Sequence, residues 1–318
     1  MRIHNIVAAL GLVALSGCGG NETSTTPVGP SVYHYYIADT GNNRIDRFDT
    51  FATPSNFITF GSAGSGQNQM MAPTDIAFDS VGNIYIVDQG NDRIIRISND
   101  FQGDQWVTYG SAGNASGNFS APTGIAIDGA NRIYVADTGN NRICRFDDMT
   151  GTNFVSYGTS GTGTGQFNAP YNIRTDGAYN IYVSDTGNNR VVEMSDMNGS
   201  NWRALTTFSS TTGHPNLNAP LGIELDFQNR IYVMDTGNNR IVQVNSISGA
   251  DEQEWSWGST LNAPKGLTVL GALQMLIADT GNSRVYRILN MQGGTPSTYG
   301  SSGGGSAQML HPASIRAH

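Results

Sequence analysis

One hexapeptide governs what this 318-residue chain can become. Asp-Thr-Gly-Asn-Asn-Arg, or a near copy, starts at Asp39, Asp88, Asp137, Asp185, Asp235 and Asp279, at steps of 49, 49, 48, 50 and 44 residues. A second mark, mostly Ala-Pro, has its prolines at Pro73, Pro122, Pro170, Pro220, Pro264 and Pro312. Each of the first five prolines lies 15 residues before the next such Asp, whereas the distance from Asp to the following proline varies from 29 to 35. One half of the unit is rigidly specified and the other absorbs length changes. A repeat of this period is one supersecondary unit that buries its apolar face only by stacking on its neighbours.

Each rigid half reads as two strands. Gly124–Asp128 is a short strand, Gly129–Arg132 supply turn residues, and Ile133–Asp137 alternates as a second strand. Thr138-Gly139-Asn140-Asn141 forms a four-residue loop, with Gly139 expected to provide a positive φ. Arg142–Phe146 is a third strand and Phe154–Gly158 a fourth. Charged residues make up 13%, about half the ~25% of ordinary domains, and there are 40 glycines. Both numbers suit an all-β, loop-rich protein. Four antiparallel strands per unit predict a β-propeller blade, and six units predict six blades. Asp39 has no Ala-Pro strand before it, and Pro312 has no second strand after it. The expectation is therefore a split blade 1, its first strand supplied by residues 311–318 at the C-terminus, which leaves no open edge.

The pattern Ala-Pro-x-Gly-Ile-Ala-x-Asp…Ile-Tyr-Val-Ala-Asp-Thr-Gly-Asn-Asn-Arg-Ile resembles the NHL repeat of bacterial envelope proteins, over residues 32–318. The resemblance implies an NHL-type six-bladed propeller. It is unspecific for function, since such propellers include enzymes, sensors and binding modules. It also implies a binding face at the mouth of the central channel, formed by the loops that enter the innermost strands and by the Asp-Thr-Gly loops. Amidating lyases of this class look as if they place zinc-binding His directly after the repeat proline, and streptogramin lyases likewise use His near that mouth. Here those positions are Thr74, Thr123, Tyr171, Leu221, Lys265 and Ala313, and the histidines after residue 17, His34, His214, His311 and His318, lie elsewhere. A catalytic zinc wants three convergent ligands. No metal site, cofactor or catalytic residue is therefore expected.

Comparing the six copies separates what every blade needs from what varies around the ring. The pairs Asp39/Arg44, Asp88/Arg93, Asp137/Arg142, Asp185/Arg190, Asp235/Arg240 and Asp279/Arg284 face each other across hairpins. Six equivalents cannot all be one active site, so they read as structural ion pairs. Glycine strings such as Gly61-Ser62-Ala63-Gly64-Ser65-Gly66 recur between blades and read as linkers rather than a phosphate cradle. Cys144 reads as a half-buried apolar side chain. The residues that vary at the mouth are the ligand-binding candidates: Thr74, Asp75, Thr123, Tyr171, Asn172, Arg174, Glu224, Lys265 and Arg316. Arg174 and Glu224 also suit an ion pair between adjacent blades.

The N-terminus reads as an address. Arg2 precedes the ten-residue apolar run Ile6–Leu15, too short to span a bilayer but suited to a signal peptide. It leads into Leu15-Ser16-Gly17-Cys18, which looks like a bacterial lipobox with Cys18 as the acylated residue. Gly19, rather than Asp, then favours the outer membrane by resemblance to lipoproteins of double-membraned bacteria. Residues 1–17 would be the signal peptide, 18–31 a lipidated tether and 32–318 the propeller. A formal charge of −8 with Lys265 the only lysine argues against a nucleic-acid partner, which needs a basic stripe. The expected protein is a monomeric, non-catalytic, envelope-anchored binding propeller that recognises a protein, peptide or glycan and touches membrane only through its lipid. A lyase or hydrolase with its site at the same mouth is the alternative.

Overall fold

The computed structural model describes residues 33–49, 51, 55–208, 216–249, 251–256, 260–270, 274–288 and 296–318. The expected signal peptide, the expected acylation motif and His214 lie outside them. Residues 32–318 form one unit, containing six four-stranded antiparallel sheets. In blade 2 the strands, from the innermost outward, are Pro73–Phe78, Ile84–Asp88, Arg93–Ile97 and Val107–Tyr109. Blade 3 runs Gly124–Ile127, Ile133–Asp137, Arg142–Phe146 and Val155–Tyr157. The innermost strands of blades 4, 5 and 6 are Pro170–Thr175, Pro220–Leu225 and Leu267–Leu270. Blade 1 is closed by the C-terminus: Ser314–Ala317 pairs antiparallel with Tyr35–Asp39, in the register Tyr36↔Arg316 and Ala38↔Ser314. The protein is thus an all-β, NHL-like six-bladed propeller with a split first blade.

The second strands of blades 1 to 5 are buried at every position, and that of blade 6 at all but Gln274. The expected half-exposed alternation in Ile133–Asp137 does not hold, because neighbouring blades cover both faces of each sheet. An apolar cluster fills each gap. One gathers Tyr85, Val87 and Ile94 of blade 2 with Ile125, Ile133 and Cys144 of blade 3. Cys144 is fully buried rather than half-buried, and burial pushes its thiol pKa up, which keeps it protonated and unreactive.

The hexapeptide is a clamp between blades. Asp137 is fully buried, and its Oδ1 accepts the Ser120 N–H at 2.7 Å from the loop that enters its blade. Oδ2 accepts Asn140 Nδ2 at 2.8 Å and Arg142 Nε at 2.7 Å. The same Asp–Arg pair forms in the other five blades. Thr138 donates its hydroxyl to Pro170 O of the next blade at 2.7 Å. Asn141 adopts φ 52° and accepts the Ala169 N–H at 2.8 Å. Asn141, not Gly139, is therefore the left-handed residue of the loop. Gly139 is required for closeness instead: a Cβ there would sit 2.8 Å from Ser120 O, the carbonyl to which its own N–H donates.

The glycine strings are more than tethers. Arg142 donates through Nη1 to Asn114 O at 2.8 Å and through Nη2 to Asn118 O at 2.9 Å, so the connection wraps the guanidinium. Arg44, Arg93 and Arg190 are wrapped alike. Gly64, at φ 144°, makes the bend that brings Ser62 and Ala63 into parallel pairing with Gln69 and Met70.

Blade 1 departs from the pattern at Asp46. The equivalent positions hold Ile95, Cys144, Val192, Val242 and Tyr286. Asp46 is fully buried and shares the Arg44 guanidinium with Asp39. Burial, opposed by Arg44 and reinforced by Asp39, pushes its pKa from 3.8 to about 8. The folded state therefore holds a proton that the unfolded chain has released, and stability falls as pH rises between those values. Asp46→Asn is expected to flatten this slope and to stabilise the ring by about 1–3 kcal/mol at pH 8–9. Parallel pH series of melting temperatures for both proteins would measure it; coincident series would contradict the assignment.

Candidate functional site

Six innermost strands converge on the axis, and a bulge in several of them turns the chain after the proline. The second residue after each proline forms the tightest layer. Blades 1, 2 and 4 place Ser314, Asp75 and Asn172 there, and blades 3, 5 and 6 place Gly124, Gly222 and Gly266. A Cβ on Gly124 would lie 2.6 Å from Tyr171 O, and one on Gly222 would lie 2.4 Å from Lys265 O. The glycines let backbones touch where three side chains already fill the axis.

Asp75 is the hub of this layer and is 1% exposed. Its Oδ1 accepts Ser314 Oγ and Arg316 Nη2, both at 2.7 Å. Its Oδ2 accepts Asn172 Nδ2 at 3.0 Å, the Ile125 N–H at 3.3 Å and Arg174 Nη1 at 3.4 Å. Two positions further along the strands, Glu224 Oε2 lies 3.5 Å from Arg174 Nε and 3.4 Å from Arg316 Nη1. Two carboxylates and two guanidinia thus close a neutral ring of four ion pairs. Arg316 also donates to Leu267 O and Ile76 O, and Arg174 to Ile125 O. Every blade contributes a group to this network. Burial raises the Glu224 pKa, against the pull of Arg174.

The structure divides the nine sequence candidates into three groups. Thr74, Thr123, Asp75 and Asn172 are buried, and their polar atoms are spent on neighbouring blades. Thr74 donates to Thr123 O at 2.8 Å, and Thr123 bonds Thr138 and Tyr171 O. They sit at the axis as expected, but as ring-closing residues turned inward rather than as an open mouth. Arg174, Glu224 and Arg316 line a cavity of about 230 Å³ at the far ends of the innermost strands, with Ala77, Ala126 and Thr268. That end lies away from the prolines, so these three do not share a mouth with the others.

Tyr171 and Lys265 remain at the proline end. The Tyr171 hydroxyl is buried with no hydrogen-bond partner, and burial followed by the Asp75 charge pushes its pKa up. Burial alone acts on Lys265 and pulls its pKa down, with no carboxylate opposing it. His34 and His318 exchange backbone hydrogen bonds at the seam of blade 1, both at 3.0 Å, but their side chains are used separately. His34 pairs with Asp49 at 2.6 Å, His318 stacks on Phe78 at 4.6 Å, and the backbone of His311 bonds Ser283. Among the described residues no three His, Cys, Asp or Glu side chains are grouped to hold a metal.

Sequence comparison of the copies singled out the four charged residues, and it anticipated the Arg174–Glu224 edge. It missed that Asp75 joins both arginines from across the axis, and it missed Ser314 and Thr268 as their partners and wall. The signal was present in the same rows of equivalent positions, where all of them break the small or apolar pattern. Which rows meet across a channel depends on the order of blades around a closed ring.

Comparison with known proteins supports this architecture. The NHL repeat model matches residues 119–146, one blade's clamp. No curated protein matches the chain. Among solved structures, the chain is similar to one in a nidogen/laminin complex, at 20% identity and a TM-score of 0.68, covering 90% of this chain and 98% of that one. It is also similar to a streptogramin B lyase, at 17% identity and a TM-score of 0.59 over 84% of this chain and 78% of the other. A virginiamycin B lyase from Staphylococcus aureus matches at 17% identity and a TM-score of 0.57, over 83% and 79%. At these identities the likeness is one of fold. The chain is a six-bladed β-propeller of NHL-like build, with an NHL repeat identified at residues 119–146.

Proposed function

We propose that this propeller is a non-catalytic binding module that takes a protein, peptide or glycan ligand at the proline end of its channel. One observation carries the reading: Tyr171 and Lys265 both stand at that end with polar heads that the fold does not use. A buried donor without an acceptor costs about 1–3 kcal/mol, which an acceptor-rich or acidic group on a ligand would recover. The charged residues deeper in the channel neutralise one another, an arrangement that holds geometry and leaves no free base or nucleophile. Lys265→Ala and Tyr171→Phe are each expected to weaken a partner captured from envelope extract about tenfold, with melting temperature changed by less than 2 °C. Wild-type binding by both variants would refute the site, and turnover of the captured molecule would favour the lyase or hydrolase alternative.

The module is proposed to sit on a bacterial envelope, in the outer membrane, through lipid on Cys18, with residues 19–31 as its tether. The apolar run and Leu15-Ser16-Gly17-Cys18 support this reading. Multiple acyl chains make such anchoring firm, where one is marginal. Cys18→Ser should move the protein from the membrane pellet to the soluble fraction; retention in the pellet would refute it.

A further inference from the structure

The cavity at the other end of the channel is independent of that reading. It has two unlike walls. Ala77, Ala126, Ile127 and Phe78, from blades 2 and 3, are apolar, whereas Arg174, Glu224, Thr268 and Arg316 are polar. Its volume of about 230 Å³ exceeds the ~150 Å³ of a cavity that holds benzene. Arg174, Arg316 and Thr268 are each at least nine-tenths buried, so the polar wall is built into the ring and is not a surface patch.

The donors of that wall are unequally used. Arg316 donates through Nε, Nη1 and Nη2 to three backbone carbonyls and two carboxylates. Arg174 donates through Nη1 alone, to Ile125 O, Ile173 O and Asp75, and its Nε approaches Glu224 only at 3.5 Å. Its Nη2 is buried with no hydrogen-bond partner. A guanidinium nitrogen without an acceptor is costly in a protein interior, and a planar carboxylate matches it best. The facing alanines leave room for a short hydrocarbon body and offer it an apolar surface.

We propose that the channel holds a second ligand site, at the end away from the prolines, which takes a short-chain monocarboxylate with its carboxylate on Arg174 and its alkyl body against Ala77 and Ala126. The four-carbon acid is the probe of choice, because its six heavy atoms equal those of benzene and leave room for adjustment in this volume. The neutral charge of the quartet matters here. Glu224 lines the same cavity and is faced by Arg174 and Arg316, with Asp75 beyond them. Burial holds the Glu224 pKa above the ordinary carboxylate range, against the pull of Arg174, which lowers the cost of an anion beside it.

The test is a titration of the full-length chain with butyrate, followed through methyl resonances. Saturable shifts are expected for the methyls of Ala77, Ala126 and Thr268, with butanol at the same concentrations giving at least tenfold weaker effects. Ala126→Leu fills the apolar wall without touching the ion pairs and should weaken butyrate at least tenfold. Thr268→Leu does the same from the opposite side if the first variant does not fold. Lys265→Ala should bind butyrate as the wild type does, which separates this site from the one at the proline end. The proposal is overturned if wild-type methyl signals do not saturate, which would mean that water alone fills the cavity. It is equally overturned if butanol binds as tightly as butyrate, or if Lys265→Ala abolishes binding.

Discussion

Asp75→Ala is expected to cost about 3–5 kcal/mol, because it leaves Arg174 and Arg316 as buried cations with half of their counter-charge removed. In a ring of this size that corresponds to a fall in melting temperature of about 5–8 °C. The loss extends past the two arginines. Ser314 Oγ, Asn172 Nδ2 and the Ile125 N–H also donate to this carboxylate, so blades 1, 3 and 4 lose a common acceptor on the axis. Scanning calorimetry of the variant beside Lys265→Ala would read both effects together. A Asp75→Ala protein with an unchanged transition and lost ligand binding would show that the carboxylate serves the ligand and not the ring.

Deleting residues 310–318 should have the largest effect of all. Blade 1 would lose its innermost strand, including the fully buried Ile315. The inner edge of Tyr35–Asp39 would be left unpaired, which invites association with other chains. The same cut removes Arg316 from the quartet, the Leu310 carbonyl that receives the Gly41 N–H, and the Pro312 carbonyl that receives the Thr280 hydroxyl. The expected result is aggregation on expression, or a soluble fraction that melts more than 10 °C lower. A monomer with the wild-type transition would mean that the ring does not depend on this closure. The two variants also rank the devices that hold the circle: one removes the closing strand of blade 1, the other only the hub carboxylate.

The repeat alone was sufficient for the architecture. Six phased copies of a strand–loop–strand unit can bury their apolar faces only against one another, and the sixth Ala-Pro-like mark, at Pro312, pointed to the strand that completes blade 1. The clamp was legible as well, since Asp137 and Arg142 must face each other across a four-residue loop. Its strength was not, because the carbonyls that wrap Arg142 come from residues 114–118, whose glycine-rich sequence reads as a linker. The left-handed residue at Asn141 and the contact need at Gly139 were exchanged for a related reason. Intrinsic preference favours glycine at positive φ, but the approach of the Ser120 carbonyl demanded the missing Cβ two residues earlier.

The chemistry of the axis was decided by tertiary structure. Periodicity within a strand tells which residues point toward the channel, but not which blades meet across it or at what depth. Asp75 and Arg174 are 99 residues apart in sequence and in blades that are not neighbours; ring closure puts their charges 3.4 Å apart. The same closure turns Thr74, Thr123 and Asn172 inward, moves Arg174, Glu224 and Arg316 to the end away from the prolines, and leaves Tyr171 and Lys265 at the other. A local repeat specifies its own strands through short-range sterics and hydrogen bonds, whereas a site on the axis is set by the sum of six blade rotations, which no single repeat contains.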